Sequence, residues 1–221
     1  YHNLPVVIVG TGAGLSYASL GSTHHSLDDV GLMRLIPNMT VLAPCDPEEV
    51  RWALTSALLN DGPTYIRLGK AGEPNIQSQQ ETERWTEDKV QTLREGRDVC
   101  LISYGPIMST VLAVAERLEK EGISTRVENF HTLKPLDTER LKELVLGYSP
   151  IAIIEEHSCV GGLGSAFAEY FLPRCGLNQI LHFAVPDMFV AEVGTQEQAR
   201  ERLGLDEDTI FNKVLEAYDV Y

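Results

Sequence analysis

The chain has 221 residues, enough for one large or two ordinary domains with a buried core, and its 43% hydrophobic and 23% charged residues are those of a globular protein. A formal net charge of −14, with no cluster of lysine or arginine, argues against a nucleic-acid partner or an anionic membrane surface. No apolar run approaches the roughly 18 residues of a membrane-spanning helix; the widely spaced Cys45, Cys100, Cys159 and Cys175 form no C-x-x-C pair, so a reduced, cytoplasmic protein with buried thiols is expected.

The chain opens "YHNLPVVIVG", without methionine and directly into an apolar run, so its numbering is expected to start inside a longer protein. "LPVVIVG" predicts a buried strand, followed by a long glycine-rich loop. "SLDDVGLMRLI" predicts a short helix with Ser26 as N-cap and Asp28 and Asp29 in the first turn, where the helix dipole favours acids. "MTVLAP" is the next strand. In "DPEEVRWALTSALLND" Asp46 caps a helix, Pro47 takes its first position and Glu49 completes a capping box. "PTYIRLG" is a third strand. Residues 70–98 then turn polar, rich in Gln and Glu, with little helical periodicity. They mark a linker, set at 76–95.

A second alternating block follows. Its expected order is strand "VCLISYGP", helix "IMSTVLAVAERLEKEGI", strand "STRVENFHT", helix "LDTERLKELVLGY" and strand "PIAIIEEHS". Helix "GGLGSAFAEYFLPR", strand "ILHFAVPD" and two short helices complete it. Apolar runs alternating with amphipathic stretches predict an α/β fold. A partial parallel-sheet domain over 1–75 precedes a complete doubly wound domain over 96–221.

Four features carry chemistry. "VGTGAGLSYASLG" follows a strand, but Leu15 stands where a dinucleotide fingerprint needs its third glycine and no helix opens there, so nucleotide binding is not expected. Glu155 and Glu156 end a strand, where they could be catalytic carboxylates or interface residues; structural or interface duty is favoured, because His157 and Cys159 beside them show no orienting acid. His24 and His25, in "GSTHHSLDD", are poor metal ligands, since neighbours in a loop rarely present both rings to one ion. As donors on a loop at the sheet's carboxyl edge, or as a solvated loop, both readings stand.

"GAGLSYASLGSTHHSLDDVGLMRLIPNMTVLAPCDPEEVRWAL" resembles the second half of the pyrimidine-binding domain of transketolases and their relatives, with its G-x-T-H, acidic helix start, "MR" and "IPNMTV". "PTYIRLGK" resembles the following strand. "HTLKPLD" and "IIEEHSCVGGLGSAFAE" resemble landmarks of the family's C-terminal domain. The resemblance covers nearly the whole chain, with its motifs in order. It implies an enzyme that transfers a two-carbon ketol unit between sugar phosphates with thiamine diphosphate and a divalent metal, Mg, the cofactor lying between subunits. Domain 1–75 becomes the C-terminal half of a pyrimidine-binding domain, and 96–221 a transketolase C-terminal domain.

Carried over by resemblance, His24 is the catalytic histidine facing cofactor and substrate. Lys70 stands where many members place an arginine that grips a sugar phosphate; it keeps the charge and loses the bidentate fork. Gly12 replaces a substrate-contacting histidine and Leu20 an aspartate that reads a sugar hydroxyl, which implies a different ketose or a less hydroxylated donor. The activating glutamate would lie upstream, and the "GDG…N" diphosphate–metal motif is absent. The chain alone is therefore expected neither to hold the cofactor nor to turn over, its partner being a homodimer mate or an N-terminal half or subunit carrying the diphosphate-binding domain. Two alternatives stay within the cofactor class: a deoxyxylulose-phosphate-synthase-like condensation, and the β component of a 2-oxoacid dehydrogenase. A third, from another class, is a non-catalytic assembly or regulatory module.

Overall fold

The structure, a computed structural model, describes residues 1–76, 86, 89–171 and 180–219. The expected α/β architecture is present, with helices interleaved between two largely parallel sheets. In the first, β1 (Val7–Thr11), β3 (Thr64–Leu68) and β2 (Thr40–Leu42) run parallel and β7 (Thr132–Lys134) closes the row antiparallel, in the order β1-β3-β2-β7. The second sheet has the order β4-β6-β5-β8-β9: β4 (Gln91–Arg94), β6 (Thr125–Asn129), β5 (Val99–Ser103), β8 (Ile151–Ser158) and β9 (Ile180–Val185). Only β4 runs antiparallel.

Four elements depart from expectation. β1, predicted to be buried, ends its sheet among the described residues and leaves Ile8 and Val9 exposed. "STRVENFHT" is not one strand: β6 ends at Asn129, and β7 starts at Thr132 in the other sheet, with Lys134 opposite Val41. Of the polar stretch 76–95, residues 91–94 form β4 against β6, fastened because the buried Glu128 collects Arg126, Arg140 and the Thr92 hydroxyl. Residues 77–85 and 87–88 lie outside the described residues. Helix α1 runs Asp29–Leu35 with Asp28 at its N-cap, not Ser26. Ser26 is engaged elsewhere, exchanging two backbone hydrogen bonds with Gly14 (2.9 and 3.0 Å).

Helix α2 (Pro47–Leu59) starts as its sequence predicts, Asp46 accepting from the Glu49 N–H at 2.8 Å. The Glu49 carboxylate reaches one residue further back than a capping box requires, to the Cys45 N–H at 2.7 Å, and also takes Asn129 Nδ2. Helices α3 (Met108–Lys120), α4 (Thr138–Gly147), α5 (Leu163–Phe171), α6 (Gln196–Leu203) and α7 (Glu207–Asp219) cover the second sheet. None of the described helices is long and apolar enough to cross a membrane. Cys45 and Cys100 are buried, Cys159 is half-buried, and none of the three is in a disulfide; Cys175 lies outside the described residues.

One apolar cluster draws Leu15, Ala18 and Cys45 in among α3, β5, β8 and α7. Another mixes Val30, Met39, Val41 and Tyr65 with Ile102, Phe130, Ile153 and Phe167. Both halves of the chain therefore share core, which fixes the first sheet's loops against the second sheet's edge.

Candidate functional site

The carboxyl ends of β1 and β3 open into loops that run side by side, with Gly12 N–H on Gly69 O (3.2 Å) and Ala13 N–H on Leu68 O (2.9 Å). The loop after β1 then leaves the sheet and returns, closed at its base by the Gly14–Ser26 pair. Its excursion holds two single-turn 3₁₀ helices, Ala18–Leu20 and Ser22–His24, giving a compact Ω-type loop. His24 ends the second turn. It is exposed, and its Nδ1 lies 3.0 Å from the Thr23 hydroxyl.

The base of this loop rests on buried charge. Glu156 Oε1 accepts from the Leu15 N–H (2.6 Å) and from Gln196 Nε2 (2.8 Å), while Oε2 pairs with Arg200 Nε from α6. The loop can approach this closely because residue 14 is glycine: φ is +62°, and a Cβ there would stand 2.5 Å from Glu156 Oε1. That is where the glycine pattern is used, at a carboxylate rather than a phosphate. On the other side Arg67, 2% exposed, sends Nε to both Asp29 oxygens (3.1 and 2.9 Å) and Nη2 to the carbonyls of Ser26 (2.8 Å) and Glu156 (3.1 Å). Burial pushes the Asp29 carboxyl up, but Arg67 and the Tyr65 hydroxyl (2.8 Å) outweigh it and hold the group below its ordinary value.

The neighbouring carboxylate is just as fully committed. Glu155, wholly buried, accepts from the Tyr104 hydroxyl (2.9 Å), His182 Nε2 (2.8 Å) and the N–H groups of Leu163 (2.8 Å) and Gly164 (2.9 Å), so it caps α5. Its burial favours the neutral acid, yet His182 and these donors keep the carboxyl low. His157 accepts the Gly31 N–H at 3.4 Å, its Nδ1 lies 2.9 Å from Ser158 O, and burial pulls its pKa down. Glu155, Glu156 and His157 thus all have protein hydrogen-bond partners within the seam.

Lys70 and His24 stand in different places. Lys70, exposed, lines a cavity of about 410 Å³ at the carboxyl ends of β1, β2 and β3, with Thr11, Cys45, Arg51 and Pro106 among its walls. Its Nζ sits 5.2 Å from the centre of the Tyr17 ring, within cation–π reach. The Tyr17 ring also fills the space beside Gly12, whose φ of +89° disfavours any side chain. Leu20 is 53% exposed. His25, not His24, lines a second cavity of about 360 Å³ between Ser158 and the stretch Val185–Val190. Burial lowers its pKa; Glu156 opposes that shift and His24 adds to it. Among the described residues no group of three or more His, Cys, Asp or Glu is arranged to hold a metal ion.

Sequence reasoning missed three parts of this arrangement. It assigned Asp29 to the helix dipole, left Arg67 without a partner, and gave Glu156 no connection to the glycine loop. A readable signal existed for the second: a lone arginine inside the apolar strand "TYIRL" requires a buried acid.

The chain is similar to known proteins over nearly its whole length. A family model for the transketolase pyrimidine-binding domain matches residues 1–73, and one for the transketolase C-terminal domain matches residues 88–210. The chain is 37% identical over 205 residues to the 6-deoxy-6-sulfo-D-fructose transketolase subunit SqwH of Clostridium sp. (strain MSTE9), a match covering 93% of this chain and 62% of that protein. It is 34% identical over 218 residues to the 1-deoxy-D-xylulose-5-phosphate synthase of Rippkaea orientalis, covering 98% of this chain and 34% of the synthase. Among solved structures, a split-gene transketolase described as an inactive β4 tetramer superimposes with a TM-score of 0.82 at 34% identity, over 97% of this chain and 66% of that one. The chain thus spans under two thirds of the length of these relatives.

Proposed function

This chain belongs to the transketolase family, and on that premise we propose that it forms the substrate-side loop and subunit surface of an assembly that transfers a two-carbon ketol unit between sugar phosphates. The observation that carries this reading is the placement of Lys70 on a cavity at the carboxyl ends of three parallel strands, the edge at which open α/β sheets receive their ligands, beside the loop that bears His24. Thiamine diphosphate supplies the carbanion chemistry in such an enzyme. The described residues offer no donor set for its metal, so we assign metal and diphosphate to polypeptide outside them, on a partner subunit or another segment. Among the described residues β1 ends its sheet, with Ile8 and Val9 41% and 49% exposed, which supports completion of this sheet by further chain.

Within that assembly this chain has two tasks. Lys70 attracts the anionic end of the sugar as a point charge, with the Tyr17 ring beneath it. His24, exposed and free to face an incoming group, donates a hydrogen bond or proton to the reacting carbonyl. Gly12 and Leu20 offer no group to read sugar hydroxyls at their positions, so the donor is a ketose other than the ordinary pentose phosphates or a less hydroxylated one. That the SqwH relative is named for a sulfonated deoxy-sugar is in keeping with this.

The test uses the assembled enzyme. His24→Ala is expected to lower kcat/KM about 10²-fold, the low end for a proton-transfer or donor group, and Lys70→Gln to raise KM for the phosphorylated sugar about tenfold or more. An unchanged kcat/KM in the His24 variant overturns the role given to it. Product analysis with a 2-oxoacid in place of the ketose separates ketol transfer from a synthase-type condensation.

A further inference from the structure

The second sheet is doubly wound, and its strand order reverses between β5 and β8: the chain goes from β5 to β6 on one side, then to β8 on the other. The crevice outside the carboxyl ends at such a switch point is where these folds place a ligand. Here the crevice is filled by the chain itself. Leu15, wholly buried, packs into the cluster with Leu101, Ile107 and Ile154, and its N–H meets the Glu156 carboxylate at the end of β8.

Several further contacts here also grip the base of the loop. Gly14 and Ser26 bond each other, Arg67 takes the carbonyls of Ser26 and Glu156, and Ser158 N–H takes Leu27 O at 2.8 Å. From α6, Arg200 and Gln196 hold the Glu156 carboxylate in place. By contrast, the tip that carries Thr23 and His24 is exposed. The loop is rigid at its stem and open at its working end.

We propose that Glu156 is a positioning residue: the C-terminal half of the chain uses its ligand crevice as a socket, and the Glu156 carboxylate, oriented by Arg200 and Gln196, sets the stem of the loop and thereby the place of His24. This rests on the reading that His24 acts in ketol transfer. Three donors converge on this carboxylate. In Glu156→Gln the amide NH₂ cannot accept, so at least one of Leu15 N–H, Gln196 and Arg200 loses its partner.

The measurement is residue-resolved amide exchange on this chain, with Glu156→Gln as the variant. Faster exchange by about tenfold or more at Leu15, Ser26 and the turns 18–24, with β5 and α3 unchanged, is the expected result. Unchanged loop exchange overturns the proposal, and so does a uniform rise across the molecule, which marks a general loss of stability. If Glu156→Gln does not fold, Gln196→Ala leaves the Arg200 pair in place and must give the same local pattern in weaker form. In the assembled enzyme the two substitutions Glu156→Gln and His24→Ala form a cycle: the glutamine variant lowers kcat/KM on its own and adds nothing once His24 is alanine. Full additivity overturns the proposal. Should His24→Ala alone leave activity untouched, the reading of His24 fails, while the exchange result still decides whether Glu156 sets the loop.

Discussion

Replacing Arg67 by methionine tests the physical account of the seam most directly. The side chain is 2% exposed and makes four hydrogen bonds, two to Asp29 and one each to the Ser26 and Glu156 carbonyls. Methionine fills comparable volume but leaves the mostly buried Asp29 carboxylate, 11% exposed, with the Tyr65 hydroxyl as its hydrogen-bond partner. Removing one member of a buried pair costs about 3–5 kcal/mol. Against a total stability of roughly 5–15 kcal/mol, that loss is a large fraction. For a chain of this size it lowers Tm by roughly 6–20 °C. The assay is denaturant unfolding at several pH values.

The pH dependence supplies a second arm with a fixed sign. In the native protein Asp29 is held below its ordinary value, so its contribution is complete above the unfolded carboxylate pKa and is lost as pH falls through the folded one. Without Arg67, burial dominates and the folded pKa rises above the unfolded value. The deficit of the variant is then largest near neutral pH and shrinks as pH falls through that raised value. Asp29→Asn in the Arg67→Met background removes the stranded charge and recovers part of the loss. A deficit below about 1 kcal/mol, or one equal at pH 5 and pH 7, refutes the reasoning.

Gly14→Ala places a Cβ 2.5 Å from Glu156 Oε1 at a φ of +62°, so it is expected to cost about 2 kcal/mol or more, read as a shift in the denaturant midpoint with unchanged m-value. His131 is 1% exposed and burial lowers its pKa to about 3, so the unfolded chain binds the extra proton first. Stability falls by about 1.4 kcal/mol per pH unit from this group as pH drops from roughly 6 to 4, and unfolding of His131→Leu over that range shows a flatter profile. His24→Ala, at an exposed turn, moves stability by no more than about 0.5 kcal/mol, which separates its effect on activity from any effect on folding.

How far the sequence could be read depends on the range of the forces involved. Strand and helix periodicity and the Asp46–Pro47 helix start are local, and the structure carries them as expected. The capping glutamate shows where locality ends, because its second oxygen is drawn to Asn129, 80 residues away. Ser26 looked like an N-cap within its own window, but its backbone is spent on Gly14 and Arg67. The break between β6 and β7 was invisible because no Gly or Pro interrupts residues 125–134. What splits them is that two sheets need a strand at that point. At the site, Lys70 could be placed on a strand end by pattern, whereas the partnership of Glu156 with Leu15 spans 141 residues and leaves no periodic trace.

The seam also explains why the two halves of this chain should be studied together. Residues that hold the loop are the same ones that hold the halves to each other: Glu156 and Arg67 each bond to both, and Leu15 is buried in the core of the second. A substitution there moves folding and loop geometry at once, so its kinetic effect has no meaning until stability is measured beside it. Lys70 and His24 lie outside that bargain. Both are exposed, and the Lys70 ammonium lies over the Tyr17 ring. Changes at those two positions are therefore expected to leave folding alone, whereas changes at the seam shift folding and loop geometry together.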